Sequence, residues 1–363
     1  MQKIMKIGIL TYHRTHNYGG CLQALATRTI LQQLGYEAFY VDYWPAYHAA
    51  EYKLFNKQRY STLTWKGKLR YVLNYCMTYS SRKERYDNFE AYHQQFTYPY
   101  CKPLTESYDA IVYGSDQIWR KQKVINIYNP VYFGINDFKA NKHIAFSASM
   151  GIIPKEAKDK IIIKNYLTGL NSIAVRESNL LEFVQSLGYI HSTKTSDPTL
   201  ILSADDWDKI IPTKRIIREK YILIYALWEG VFNIESVRKY AKLNKLKIVY
   251  LRGEALRNDT DTEFTTADPQ TFISLIKHAE MVLSSSFHGL AFSIIFHKEF
   301  FVSFNSNAER AKSLLKDVGL LDRFMNPKEE IPCNFTLIDY SKVEYLLQKL
   351  RMKSINYLKA SLR

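Results

Sequence analysis

Apolar runs of strand length alternate with stretches of helical period along most of this chain, and they fall into two series. The first holds "KIGILTY" (6–12), "EAFYVDY" (37–43), "YDAIVYG" (108–114), "HIAFSAS" (143–149) and "SIAVRE" (172–177), with helices predicted over 20–34, 155–169 and 177–187. The second holds "YILIYAL" (221–227), "LKIVYLR" (246–252), "EMVLSS" (280–285) and "EFFVSF" (299–304). Parallel strands are buried on both faces and need crossover connections, so apolar runs separated by helices predict an α/β protein with parallel sheets. At 363 residues the chain exceeds one typical core. The segment "TSDPTLILSADDWDKIIPTKR", with two prolines and an acidic cluster, separates the series and reads as a linker. The expected architecture is two Rossmann-like domains facing a cleft, over 1–200 and 201–340, with a basic helix over 341–363.

Lys and Arg outnumber Asp and Glu by 50 to 35, a formal charge of +15. Such a surplus attracts anions, whether nucleic acid, an acidic membrane surface or phosphorylated small molecules, and leaves the fold open. The cysteines, Cys21, Cys76, Cys101 and Cys333, show neither paired nor zinc-like spacing. No disulfide or metal is therefore expected, and a reducing compartment fits best. In "MQKIMKIGILTYH" the apolar run is too short for a signal-peptide core or a membrane span. A cytoplasmic protein is expected, with any membrane contact peripheral.

The stretch from about 45 to 105 breaks the strand–helix rhythm and is expected to be a basic, aromatic helical insertion in the first domain. Residues 51–85 carry nine Lys or Arg against two Glu, and Trp65, Leu69, Val72, Leu73 and Cys76 recur at helical spacing. A basic amphipathic element of this kind suits an anionic membrane or an acidic glycan. The plainer and preferred reading is an insertion packed on the first domain with its basic face in water.

Ligands of open parallel sheets bind outside the carboxyl ends of the strands, where helix N-termini present free N–H groups. The predicted strands are followed there by polar or glycine-rich stretches: "HRTHNYGG", "SDQIW", "SASMG", "RES" and "SFHG". Gly19 and Gly20 open the first helix and would let a ligand approach backbone amides. Their spacing matches neither the dinucleotide fingerprint nor the P-loop. His288 is the sharper case, predicted in the first turn of a helix after Ser284, Ser285 and Ser286. The helix dipole there favours an anion and disfavours an imidazolium unless that anion is present. A lone histidine is more often capped or solvated than catalytic, but three serines before it and a glycine after it point toward a site.

The set "HNYGGCLQALA", "YDAIVYGSDQIW", "SASMG", "VRES", "SDPTLIL" and "SSSFHGLAFSIIFHKEFF", in this order over nearly the whole chain, resembles the polysaccharide pyruvyl transferase family. The resemblance implies a GT-B-like fold with the active site in the cleft. It also implies that the enolpyruvyl unit of phosphoenolpyruvate is moved onto a sugar of a surface polysaccharide precursor, forming a cyclic ketal and releasing phosphate. Acceptors in the family are often carried on a nucleotide or a polyprenyl pyrophosphate. Such a reaction needs a general acid, a base, and cations or helix N-termini for the donor's phosphate and carboxylate, with no metal or redox cofactor required.

On this resemblance His288 is the expected general acid and Asp116 a candidate base, although an Asp in a G-S-D turn is as often a helix N-cap. Arg176, in "VRES", is the first choice of donor-binding cation, with an ion pair to Glu177 as the structural alternative. Ser285, Ser286, Gly289 and Arg310 complete the expected donor side, and Arg14, Asn17, Tyr18, Gly19 and Ser115 the acceptor side or cleft. Many members carry an arginine two residues before the histidine, where this chain has Ser286. Arg310, Lys312, Arg252 and Arg14 are the candidates to replace it. The 51–85 segment and the tail from Lys342 to Arg363 are expected to help meet a membrane-anchored acceptor.

Two other readings stand beside this one. A GT-B glycosyltransferase using a nucleotide sugar would place a ribose-binding carboxylate near Glu229-Gly230 or Arg252-Gly253-Glu254. A basic nucleic-acid-binding protein would explain the charge, but the basic residues are spread along the chain and no recognised signature is present.

Overall fold

Each series of apolar runs forms a parallel sheet in the computed structural model, which describes residues 4–122, 125–228, 230–252, 261–306 and 308–363. The first sheet contains β1 (Lys6–Leu10), β2 (Glu37–Val41), β3 (Cys101–Lys102), β4 (Ser107–Tyr113), β5 (Lys139–Ala148), β6 (Ser172–Val175) and β7 (Thr193–Lys194). The second contains β8 (Tyr221–Tyr225), β9 (Lys247–Leu251), β10 (Thr262–Phe264), β11 (Met281–Ser284) and β12 (Glu299–Val302). Their spatial orders are β3-β2-β1-β4-β5-β6-β7 and β10-β9-β8-β11-β12, so the order reverses between β1 and β4 and again between β8 and β11. Ligand crevices of open α/β sheets lie at such reversals. Every predicted strand is present. The unpredicted β3, β7 and β10 have two or three residues, too few to show as an apolar run.

The helix Tyr18–Gln33 shows how the two halves are joined. Its residues from Tyr18 to Arg28 are all buried, because it touches the helices Pro198–Ile201, Pro269–Lys277 and Phe287–Ile295 as well as its own sheet. One apolar cluster accordingly runs through both halves and includes Ile9, Leu22, Trp207, Leu275, Leu290 and Leu358. Each such side chain contributes on the order of 1.5–3 kcal/mol when fully buried, so the walls of the cleft rest on a shared core. All nine residues of Phe287–Ile295 are buried.

The expected linker is packed rather than loose. It forms the helices Pro198–Ile201 and Ala204–Ile210, and the Trp207 indole donates to the Thr199 carbonyl at 3.1 Å. The C-terminal helix, Tyr340–Leu362, returns onto the first half. There the Tyr357 hydroxyl donates to the Ala145 carbonyl at 2.7 Å and Arg351 Nε to the Leu200 carbonyl at 2.8 Å.

The insertion is helical, as expected, with helices at Ala46–Glu51, Lys57–Ser61 and Trp65–Phe96. The preferred packing of its apolar stripe is corrected, however. Phe89, Tyr92 and His93 anchor the C-terminal part of the long helix, while Trp65, Leu69, Leu73 and Met77 are 72%, 56%, 57% and 74% exposed. Tyr71 and Tyr75, on the opposite face, pack on Phe55, which leaves the stripe outermost. Among the described residues no helix is long and apolar enough to cross a membrane, and the four cysteines are free.

Candidate functional site

β11 runs into the helix Phe287–Ile295 with Ser285 and Ser286 between them, so His288 stands in the first helical turn at the reversal of the second sheet. The ring is buried against the first half. A Cβ on Gly19 would lie 1.9 Å from His288 Nδ1. Gly19 is therefore small to admit the imidazole, a correction to the expectation that it admits a ligand. Nε2 has no hydrogen-bond partner and lies 3.7 Å from Asp197 Oδ2, outside hydrogen-bond range. Burial pushes the imidazole below its ordinary value, Asp197 opposes that, and Arg176 adds to it. At neutral pH the free site therefore holds a neutral ring.

Asp197, absent from the sequence-based set of site residues, organises the layer beneath. It caps Pro198–Ile201, its Oδ1 accepting from the Thr199 amide at 3.0 Å and the Thr199 hydroxyl at 2.7 Å. Its Oδ2 accepts from Arg176 Nη1 and from the Ser115 hydroxyl at 3.2 Å. Burial would raise this carboxyl, but Arg176, then His288 and the Thr199 bonds, hold it below its ordinary value. The helix start was legible as Asp before Pro; its burial beside Arg176 was not.

Arg176 leaves the end of β6 and also donates through Nε to Glu177 Oε1 at 3.3 Å. Its guanidinium lies 4.5 Å from the Phe287 ring centroid. Two carboxylates hold it, and it is not among the residues lining the cleft. The structural alternative of an ion pair thus describes Arg176 in this structure better than the role of first donor ligand, although Nη2 lacks a partner.

Arg310, on the helix Glu309–Asp317, does line the cleft and borders Ser286 and His288. The residue is half-buried with its Nε shielded and unpartnered, and desolvation followed by the repulsion of Arg176 lowers its pKa. With the Gln117 amide turned to present its oxygen, Nη1 and Nη2 each donate to it at 3.2 Å. The other replacement candidates point elsewhere. Lys312 lies 4.9 Å from the Phe324 ring centroid, Arg14 pairs with Asp42, and Arg252 lines a neighbouring cavity.

The cleft around His288 has a volume of ≈220 Å³, and its lining includes Asn17, Asp116, Arg120, Ser285, Ser286 and Arg310. That is smaller than the roughly 300–1,000 Å³ of ordinary ligand pockets. Asp116 adopts φ +66° and accepts from the Gln117 amide at 2.8 Å. Asn17 is the N-cap of Tyr18–Gln33, and the Ser285 hydroxyl accepts from the Leu227 amide at 2.8 Å. Arg120, four residues beyond Asp116, was missed by the sequence reading, although it sits in the same polar stretch after β4.

Three further expected residues prove to be buried supports, and a fourth points elsewhere. Ser115 lies below the cleft, bonded to Asp197 and to the Ser147 carbonyl. Tyr18 stacks on Phe272. A Cβ on Gly289 would lie 2.1 Å from Ser284 Oγ, so that glycine serves close packing, as Gly19 does. Arg14 is drawn away by Asp42 and does not reach the cleft.

A larger cavity of ≈530 Å³ adjoins the first, and both are lined by Glu51, Tyr52, Leu227 and Trp228. It presents Arg59, Arg82 and Arg85 from the insertion, opposite Arg252. Arg85 donates to the Tyr18 hydroxyl at 2.8 Å. Glu229, Gly253 and Glu254, sought as nucleotide-binding positions, lie outside the described residues. Among the described residues, one group, His13, Asp42 and Cys101, brings metal-ligand atoms within 4.8 Å of one another, and Arg14 already engages Asp42 there.

The model of the family described as polysaccharide pyruvyl transferase matches residues 17–306. Comparison with curated proteins gives no match. Among solved structures, a protein described as a UDP-N-acetylglucosamine 2-epimerase from Listeria monocytogenes aligns over 98% of this chain and 90% of its own, at 9% identity and a TM-score of 0.50. MnaA of S. aureus with UDP aligns over 96% and 88%, at 12% identity and a TM-score of 0.48. The UDP-GlcNAc 2-epimerase of Methanocaldococcus jannaschii aligns over 95% and 92%, at 9% identity and 0.48. Together with the two parallel sheets, the first of these likenesses gives the fold class: two Rossmann-like domains of GT-B type.

Proposed function

The chain belongs to the polysaccharide pyruvyl transferase family, and on that premise we propose that it moves the enolpyruvyl unit of phosphoenolpyruvate onto two hydroxyls of a surface-polysaccharide sugar. The observation that supports this most is that His288, whose shielded Nε2 has no partner, and the half-buried Arg310 line one cleft too small for a nucleotide sugar. A compact anion fits both the cation and the helix N-terminus.

The neutral imidazole of the free site gains its proton with the donor, because a bound anion stabilises the imidazolium and Asp197 already favours it. His288 then delivers that proton to the methylene carbon, and positive charge develops at C2. One sugar hydroxyl attacks C2 and gives its proton to Asp116, forming the first C–O bond. Phosphate leaves as its C2–O bond breaks, helped by Arg310 and Arg120. The second hydroxyl closes the ring, and its proton departs with the phosphate. Asp116 returns its proton to solvent, replacing the one that His288 took up with the donor, so the two hydroxyl protons balance the new methyl hydrogen and the protonated phosphate. The larger, arginine-lined cavity takes the acceptor and its carrier.

Incubation with phosphoenolpyruvate and a panel of carrier-linked sugars tests the reading. Phosphate should appear with an acceptor heavier by one pyruvate less one water. Release of nucleotide from a nucleotide sugar, with no turnover of phosphoenolpyruvate, would overturn it in favour of a glycosyltransferase.

A further inference from the structure

The long helix of the insertion, Trp65–Phe96, presents two faces of different purpose between Trp65 and Arg85. One face carries Tyr71, Arg82 and Arg85 into the wall of the larger cavity. The other carries Trp65, Leu69, Leu73 and Met77, each more than half exposed. A folded chain of this size has enough core to bury four large apolar residues, so a continuous exposed stripe of them calls for a partner.

Charge decides which partner. From residue 52 through residue 83 the chain has no Asp or Glu, and Lys57, Lys66, Lys68 and Arg70, which do not line the cavity, surround the stripe in sequence. A second copy meeting this patch about a two-fold axis would set these cations against themselves, since an isologous interface pairs a surface with its own copy. An anionic bilayer surface satisfies both features. Trp and aliphatic side chains enter the interfacial layer while Lys and Arg remain among the headgroups. No described helix can span a bilayer, so the contact is with one surface only.

We propose that the Trp65–Met77 face of this helix docks the protein on an anionic lipid surface, lying in the plane of the interface. The arginine-lined cavity is then held about one helix diameter, roughly 10–12 Å, from the headgroups. The docking does not depend on which reaction the cleft performs.

Flotation of the full chain with vesicles decides it, comparing phosphatidylcholine alone with an equimolar mixture of phosphatidylcholine and phosphatidylglycerol at low and high salt. The expected result is binding to the mixture only, with loss at high salt and a blue shift of tryptophan emission that Trp65→Phe removes. Leu69→Ser with Leu73→Ser alters exposed positions, and should weaken binding roughly tenfold with unchanged circular dichroism. Absence of binding at low salt overturns the proposal. So does binding that survives the double substitution unchanged, which would place the contact elsewhere on the basic surface. Sedimentation showing a dimer dissolved by the same substitutions would overturn it in favour of a second copy.

Discussion

The enclosed end of the cleft, around His288, and the open end, around Arg85, use charge differently. At the enclosed end Arg176, Asp197 and His288 are held below or at the floor of a ≈220 Å³ space, and every one of them leaves a strand end or a helix start. At the open end Arg59, Arg82 and Arg85 come from one insertion and face a ≈530 Å³ space. Charges fixed on sheet edges in a dry setting are preorganised and cost little rearrangement during a reaction. Charges on a helical insertion can change from one relative to another without disturbing the sheets. The enclosed end is thus suited to chemistry and the open end to the choice of partner, and substitutions at the two ends should separate kcat from the KM of the acceptor.

The largest effect should come from His288→Gln, which keeps hydrogen bonding but delivers no proton. Turnover of phosphoenolpyruvate should fall by roughly 10²–10⁴ with donor binding much less affected. Burial depresses the free imidazole and a bound dianion raises it, so activity in the wild type should decline as pH rises through the raised value. The substituted enzyme should lack that alkaline limb. Wild-type turnover with an unchanged limb would remove the acid role.

Asp197→Asn comes next, because it takes the carboxylate from Arg176 and from the neighbourhood of Nε2 at once. Breaking a buried pair by altering one partner costs on the order of 3–5 kcal/mol. Urea denaturation should register that loss, and kcat should fall as well. A fully stable Asp197→Asn protein would show that the enclosed end is less dry than its burial indicates.

Arg310→Ala sharpens the contrast from the other side. This side chain is half-buried, with an unpartnered Nε, and is repelled by Arg176, so the free protein should be no less stable without it. The KM for phosphoenolpyruvate should nevertheless rise roughly 10–100-fold, as expected when a charge-assisted contact worth about 1.5–3 kcal/mol is lost. Calorimetric donor affinity equal to wild type would assign the anion to Arg120 or Arg176 instead. The smallest effect belongs to the open end. Arg59→Gln, at an exposed position, should raise the KM of a phosphate-bearing acceptor by a few-fold at most, less at high salt, with kcat unchanged.

Sequence periodicity alone determined the two parallel sheets, because buried parallel strands must be apolar on both faces and β1, β4, β8 and β11 are. It also placed His288, Asp116, Ser286 and Arg310 on the functional edge, since that edge follows from chain direction within a strand–helix unit. It did not reveal that Asp197, read as part of a linker, lies 3.7 Å from His288. Nor did it show that Gly19 makes room for an imidazole supplied 269 positions later, as the numbering of the two residues gives. The fate of the two basic helices was equally hidden. Trp65–Phe96 and Tyr340–Leu362 both carry apolar residues at helical spacing among lysines and arginines. Val343, Leu347 and Leu358 of the second are buried in the fold, whereas Leu69 and Leu73 of the first face outward. A helical period states which residues share a face, but what that face meets depends on where the rest of the chain lies, and only the tertiary structure decides that.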